Sequence, residues 1–374
     1  MTKEKMLRKI FWQLRFLDWY LLGSIFILLT LSGVSIFSVA LSQPQTHMVF
    51  FQKQLIFIAL GVLAMLVTVF IGFDWVEQYS MYLYAAAVIL LLGVLFFGVT
   101  RGGTTGWYDI FGLTFQPVEI AKLILVFWLA HLITRGMNKY SNLQLIALSG
   151  AGAFILFLLV ALQPDFGSAV IIFLLWWILW LIVGMGRWHF LVVLACLVVG
   201  GALVWTFALN DIQRQRVFTF ANPTVDVYGA GYNVRQAKIA IGAGGLLGRG
   251  VGFGTQTQLK FLPAAQTDFI FAVIAEELGL LGTGLVVLCF GVIFLRLYII
   301  ATKTNNDYYS LVVFGILIIF FSQFFINIGM NLGLLPVTGI PLPFVSAGGS
   351  FLIVSLVFIG LAESVFIRSV KYKI

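Results

Sequence analysis

An all-α fold is predicted: a polytopic membrane protein of about ten transmembrane helices with one long extracytoplasmic loop. Two observations on composition and one on pattern predict it. Of 374 residues, 61% are apolar and only 10% are Asp, Glu, Lys or Arg, where soluble domains carry about 25% charged residues. Mean hydropathy is +1.07. The apolar runs are continuous and close to the roughly 20 residues a helix needs to cross a bilayer. An outer-membrane barrel would instead show alternating segments of about ten. The same composition excludes a disordered chain, which combines low hydrophobicity with high charge.

The expected spans are 17–39, 50–72, 78–99, 116–134, 143–162, 166–185, 188–209, 269–300, 309–332 and 350–367. With a loop at about 210–268 they fill residues 1–374 as a single transmembrane domain. The eighth span is long enough to tilt or to project from the bilayer. The first apolar run is too long for a cleavable signal, and no small-residue cleavage site stands out.

Net charge is +8, and here the cations speak to topology, not to nucleic acid. Thirteen Lys and Arg fall on the side of the termini: Lys3, Lys5, Arg8, Lys9, Arg15, Arg135, Lys139, Arg187, Arg296, Lys303, Arg368, Lys371 and Lys373. The short connections opposite hold only Lys53, Arg101 and Lys122. The positive-inside rule then puts both termini in the cytoplasm and the 210–268 loop outside. Residues 1–15 read as a basic, partly amphipathic helix on the anionic inner surface. Cys196 and Cys289 lie in apolar runs and read as buried thiols. His47, His131 and His189 are scattered without zinc-ligand spacing.

The acidic residues are few enough to place one by one. Asp109, Glu119, Asp165, Asp211, Asp226 and Asp268 fall on the outer side. No Walker pattern marks a nucleotide site. Gly242–Gly254 is glycine-rich but does not fit the dinucleotide fingerprint, and reads as a flexible loop. A reaction on this face therefore needs a substrate that arrives already activated.

In Phe115-Gln-Pro-Val-Glu-Ile-Ala-Lys122, Pro117 suits a first helical position and Glu119 the first turn. Glu119 and Lys122 share a face. They are either a cap and ion pair or a charged pair facing a polar cavity, with Lys122 open to an anionic ligand. In Gln163-Pro-Asp165, Pro164 is suited to starting a helix and Asp165 to its positive end, as a cap or as a functional carboxylate. In the long loop, Arg214 and Arg216, then Arg235 and Lys238 on an amphipathic helix, would meet lipid headgroups or form a basic funnel for a pyrophosphate. Asp268, where that loop meets the eighth span, is a helix cap (as is Thr267) or a partly desolvated general base. Glu276 and Glu277 inside the span are expected to have partners. The apolar, Pro- and Gly-rich connection 333–350 cannot be a regular helix, so it is expected packed or re-entrant beside the site. Ser346 and Ser350 are its polar contacts.

Taken together, five segments resemble the SEDS family (shape, elongation, division and sporulation proteins): Phe115–Lys122, Gln163–Asp165, Gly254–Gln258, Phe261–Gly279 and Leu335–Ser350. Gly254-Thr-Gln-Thr-Gln followed by Leu-Lys-Phe-Leu-Pro263 is closer to the RodA-like elongation branch than to the FtsW-like division branch. Gln266 and Ala347 stand where His and Tyr are common. The resemblance implies a peptidoglycan glycosyltransferase that polymerises lipid II into glycan strands on the outer face of the bacterial plasma membrane. It implies Asp268 as the essential acidic residue, and Glu119, Lys122 and Asp165 as sensitive positions. It also implies a class B penicillin-binding protein as transpeptidase partner. The expected mechanism inverts configuration, with Asp268 as base. Lys122, Arg214, Arg216 and a divalent cation (Mg2+ or Mn2+) offset the leaving pyrophosphate. Rival readings are a lipid II flippase, for which no internal inverted repeat is visible, and a non-catalytic scaffold for the transpeptidase.

Overall fold

The computed structural model describes residues 16–42, 44–71, 74–101, 103–110, 113–203, 206, 214 and 230–371. The expected inner-surface helix at 1–15, Arg216 and most of 210–229 lie outside the described residues. The helices are α1 (Trp19–Leu41), α2 (Pro44–Ile71), α3 (Asp74–Phe97), α4 (Pro117–Gly136), α5 (Asn142–Ala161), α6 (Phe166–Val183) and α7 (Arg187–Leu203). They continue with α8 (Ala230–Gly244), the short α9 (Thr255–Gln258), α10 (Ile270–Lys303), α11 (Asp307–Asn331) and α12 (Gly349–Lys371). Among the described residues, nine are long and apolar enough to cross a membrane. The seventh expected span is α7, with 17 helical residues within the described segment.

The helices are inside-out relative to soluble ones. In α1, Ser24, Ser32, Ser35 and Ser38 point inward, while Phe26, Ile27, Val34, Phe37 and Leu41 face outward. Small polar side chains let helices approach and hydrogen-bond where lipid cannot satisfy them. The centre is α4, α11 and α12, whose spans are 72%, 61% and 78% buried; α2 and α3 are peripheral, at 22% and 28%. Phe320 of α11 knits this centre. Its ring lies 5.1 Å from Phe344 and 5.7 Å from Phe358.

One end of the bundle is tied by charge. Arg296 donates to Asp18 at 2.6 Å, Asp18 N–H donates to Glu363 at 3.0 Å, and Arg135 pairs with Glu77 at 2.8 Å. Asp18 also caps α1 through the amide of Leu21. Fully buried carboxylates persist only with such partners.

The sequence did not announce a sheet. Strands β1 (Val99–Arg101), β2 (Thr104–Ile110) and β3 (Leu113–Phe115) form an antiparallel meander in a stretch where the sequence reading placed no strand. Thr105 N–H bonds Gln163 O at 3.2 Å, and Tyr108 Oη bonds Leu90 O at 3.1 Å. The meander therefore sits on α3 and on the turn that carries Asp165.

Helix α10 has 34 residues, about 51 Å at 1.5 Å each and longer than a roughly 30 Å hydrocarbon core. It breaks at Gly279, where φ is 65° and ψ −157°, a region that only glycine occupies readily. In an unbroken helix, Leu280 and Leu281 amides would bond Glu276 and Glu277 carbonyls. Here residues 245–250 are inserted into that ladder. Arg249 N–H takes Glu276 O and Gly250 N–H takes Glu277 O, both at 2.9 Å. Leu280 N–H goes to Gly245 O at 2.9 Å and Leu281 N–H to Leu246 O at 3.3 Å. The expectation of a flexible loop at 242–254 is therefore corrected: its amides complete a broken membrane helix.

Gly279→Ala is expected to cost about 2–3 kcal/mol, because its Cβ would also sit 2.6 Å from Leu246 O. Gly284→Ala, with open space around it, is the control and should change stability by under about 1 kcal/mol. Thermal unfolding in detergent compares them. Arg296→Met should cost about 3 kcal/mol in the same assay, because it strands the buried Asp18 carboxylate.

Candidate active site

The chain gathers its sequence-distant motifs around residues 333–350, and the geometry is built from three contacts of that loop. The first is with the Asp268 turn. Ala264, at a left-handed φ of 49°, offers one carbonyl to the amides of Thr267, Asp268 and Phe269 at 3.1–3.3 Å. Ser346 Oγ donates to Thr267 O at 2.6 Å, and Ala347 N–H donates to Gln266 O at 2.8 Å. A Cβ on Gly339 would lie 3.6 Å from Asp268 Oδ2, so the loop passes directly beside the carboxylate.

The second contact is with the start of α6. Gly167 packs so tightly on the loop that a Cβ there would lie 2.7 Å from Ile340 Cγ1 and 3.2 Å from Thr338 O. The third is with the start of α4, where Gln116 N–H meets Ser350 Oγ at 3.3 Å. Gln116 Nε2 also donates to Asp165 Oδ2 at 3.2 Å, closing the circle between α4 and α6. Irregular backbone of this kind near a membrane must be satisfied by protein. Phe344 shows what that takes: fully buried, it is held at a φ of 62° by its packing on Phe320.

Apart from Arg216, which lies outside the described residues, each expected site residue has a definite place. Pro117 opens α4 with Gln116 as N-cap, and Glu119 and Lys122 form a 2.9 Å ion pair, both almost wholly buried. Among the described residues, Glu119 is the hydrogen-bond partner of Lys122, which uses one of three ammonium donors. Asp165 is the N-cap of α6: Oδ1 accepts from Ser168 N–H at 3.0 Å, while Oδ2 faces Gln116. Pro164 stands before that cap, not inside the helix as expected.

Asp268 is not a helix cap. Helix α10 begins at Ile270 with Phe269 at the N-cap, so Asp268 and Thr267 both lie outside the capping position. Its side chain is half-buried. Ser346 is fully buried, and besides its bond to Thr267 O it accepts from Leu342 N–H at 2.8 Å. It is a tie between loop and turn. Arg214 bonds Thr206 O at 3.0 Å, and no described contact joins it to the Asp268 turn. Arg235 and Lys238 lie exposed on α8, as the amphipathic pattern predicts.

Glu276 and Glu277 have their expected partners, and these are structural. Glu276 accepts the amides of Gln256 and Thr257 at 2.8 and 3.2 Å and both threonine hydroxyls of Thr255 and Thr257. Glu277 accepts from Ser38 Oγ and Gly252 N–H. Together they fasten residues 252–257 to α10 and α1.

Three buried amide side chains that sequence reasoning did not single out also belong here. Gln54 of α2 donates to Ser32 Oγ at 3.1 Å and to Ser346 O at 3.5 Å, and accepts from Gly348 N–H at 3.4 Å. Asn327 and Asn331 of α11 both donate to the backbone carbonyl of Asp268. The available signal was a polar amide inside an apolar run, which is costly unless it has work to do.

Known proteins share this architecture. The cell cycle protein family FtsW/RodA/SpoVE matches residues 14–370. Peptidoglycan glycosyltransferase MrdB of Escherichia coli K12 is 38% identical over 363 residues, spanning 96% of this chain and 95% of its own. A probable peptidoglycan glycosyltransferase FtsW of Thiomicrospira cyclica is 35% identical, spanning 94% and 92%. The Thermus thermophilus rod shape determining protein RodA superposes with a TM-score of 0.69 at 26% identity, covering 94% of this chain and 96% of that one. A chain from a peptidoglycan synthase complex that coordinates polymerization and crosslinking superposes at 0.78 with 28% identity, covering 94% and 97%. Matched along almost its whole length, the chain belongs to the FtsW/RodA/SpoVE family.

Proposed function

We propose that this multi-pass membrane protein, a peptidoglycan glycosyltransferase like its relatives, polymerises lipid II in cell-wall elongation, with Asp268 as general base. The observation that carries the reading is the convergence of the Asp268 turn, the Asp165 cap and the Gln116–Lys122 segment on the 333–350 loop. The side of the membrane follows from charge. With Lys and Arg concentrated at the end where Asp18, Arg135 and Arg296 pair, that end is cytoplasmic and the Asp268 end faces out. The membrane is the bacterial plasma membrane, and both termini lie inside.

In the proposed reaction, Asp268 takes the proton from the 4-hydroxyl of the acceptor sugar. That oxygen attacks the anomeric carbon of the growing strand's terminal sugar from the face opposite the leaving group. The new glycosidic bond forms as the bond to the lipid pyrophosphate breaks, and configuration inverts. Lys122, buried beside Glu119, is assigned to offset the departing negative charge, and Arg214 and Arg216 of the loop are assigned the same task. The energy comes from the pyrophosphate linkage, so no nucleotide is required. A divalent cation, Mg2+ or Mn2+, is an expected companion of a pyrophosphate. Among the described residues, however, no group of three His, Cys, Asp or Glu is arranged to hold one, and no step here runs through it.

The partner is a class B penicillin-binding protein that crosslinks the new strand. A relative in fold was solved in a complex that coordinates polymerization with crosslinking, and this supports the assignment. The run Gly254–Pro263 favours elongation over division.

Asp268→Asn keeps the side chain's shape but removes the base. It should lower the turnover of labelled lipid II by about 100- to 10,000-fold, measured with purified protein and its transpeptidase partner, with the fold intact. Wild-type turnover in that variant would remove the base assignment. Replacing Glu119 and Lys122 together, by Leu and Met, should preserve folding because neither charge is left alone. Loss of the Lys122 cation should then show as slower polymerisation; a double variant as active as wild type would make the pair purely structural.

A further inference from the structure

Asp268 sits in a short turn, and its orientation depends on what holds the peptide units on either side. The first turn of α10 has no side-chain cap of its own, because Phe269 occupies the N-cap. Support comes from α11, 59 and 63 residues away in sequence. Asn327 Nδ2 donates to Asp268 O at 3.1 Å and to Ile340 O at 2.8 Å. Asn331 Nδ2 donates one hydrogen to Asp268 O at 3.0 Å and shares the other between Asn327 O at 2.9 Å and Asn327 Oδ1 at 3.3 Å. An amide nitrogen carries two hydrogens, so the donor capacity of each side chain is spent on these bonds. Asn331 Oδ1 also accepts Ala272 N–H at 3.3 Å, doing for α10 what a capping side chain would do.

Both asparagines are fully buried, so water cannot replace a lost bond. They stand one turn apart on one face of α11. Asn327 further joins Asp268 O to the 333–350 loop through Ile340. With Ser346 on Thr267 O and Ala347 on Gln266 O, three consecutive carbonyls, 266 to 268, are held from outside the turn. The carboxylate therefore leaves a backbone clamped on both sides.

We infer that Asn327 and Asn331 are positioning residues for the glycosyl transfer. Their amides hold the Asp268 carbonyl and thereby set where its carboxylate meets the acceptor hydroxyl. The inference rests on the reading of Asp268 as the base. Both asparagines are wholly buried and spend their donors on backbone, so lipid II binding should survive their loss while the chemical step slows. A misplacement of about 1 Å is enough to cost on the order of 100-fold in rate.

The test is steady-state polymerisation of labelled lipid II by Asn327→Leu and Asn331→Leu, assayed with the partner transpeptidase beside wild type and Asp268→Asn. Leu matches Asn in size and removes the donors. The expected result is a kcat lower by about 10- to 100-fold with KM within about twofold. The Ser variants, Asn327→Ser and Asn331→Ser, keep a hydroxyl donor and should recover part of the loss. They also serve if the Leu variants do not fold. In an Asp268→Glu background, where the carboxylate is already displaced, Asn331→Ser should cost less than it does in wild type. Wild-type kcat in folded asparagine variants, or kcat and KM changing together with no dependence on the residue at 268, would overturn the positioning role. That result leaves the base assignment standing as long as Asp268→Asn is inactive. An active Asp268→Asn would instead bring down the base reading itself.

Discussion

A backbone amide or carbonyl left unpaired at membrane depth costs several kcal/mol, and no water is at hand to repair it. The end of this protein that carries Asp268 is nevertheless built from irregular backbone. Its particular contacts follow from that conflict. Where α10 breaks at Gly279, residues 245–250 supply the missing donors and acceptors. Where the 333–350 loop abandons helical geometry, Gln54, Ser346 and Asn327 supply them from α2, from the loop itself and from α11. The end of the bundle that carries Asp268 is thus assembled by elements that lie far apart in the chain.

Charge follows the same economy. Among the described residues, the buried carboxylates Asp18, Glu119, Glu276, Glu277 and Glu363 each have identified partners, and those partners come from different elements in four of the five cases. They contribute mainly by defining which helices meet and at what height, since a buried ion pair adds little net stability over a well-packed apolar one. Lys122 differs, because Glu119 occupies only part of its donor capacity.

Much of the fold was legible in the chain. Span lengths, proline at the head of α4, the i, i+3 spacing of Glu119 and Lys122, and the amphipathic pattern of α8 are local properties and appear as read. The errors share one cause. Gly242–Gly254 read as flexible because glycine permits freedom, yet here it provides conformations that only a docked loop uses. Asp268 read as a possible cap because it lies at a polar-to-apolar boundary, but the turn centred on Ala264 moves the N-cap one residue on, to Phe269. The meander at 99–115 was missed because its pairing is justified by Gln163 and α3, not by alternation.

Composition and hydropathy by themselves determined a membrane protein and its spans, because transfer into lipid is a sum over local segments. The order of five motifs determined the family. Which residues stand around Asp268 was decided only by tertiary structure. Asn327 and Asn331 are indistinguishable in sequence from any other polar interruption of a span. They meet the Asp268 carbonyl only because α11 packs against the start of α10, some sixty residues away in the chain.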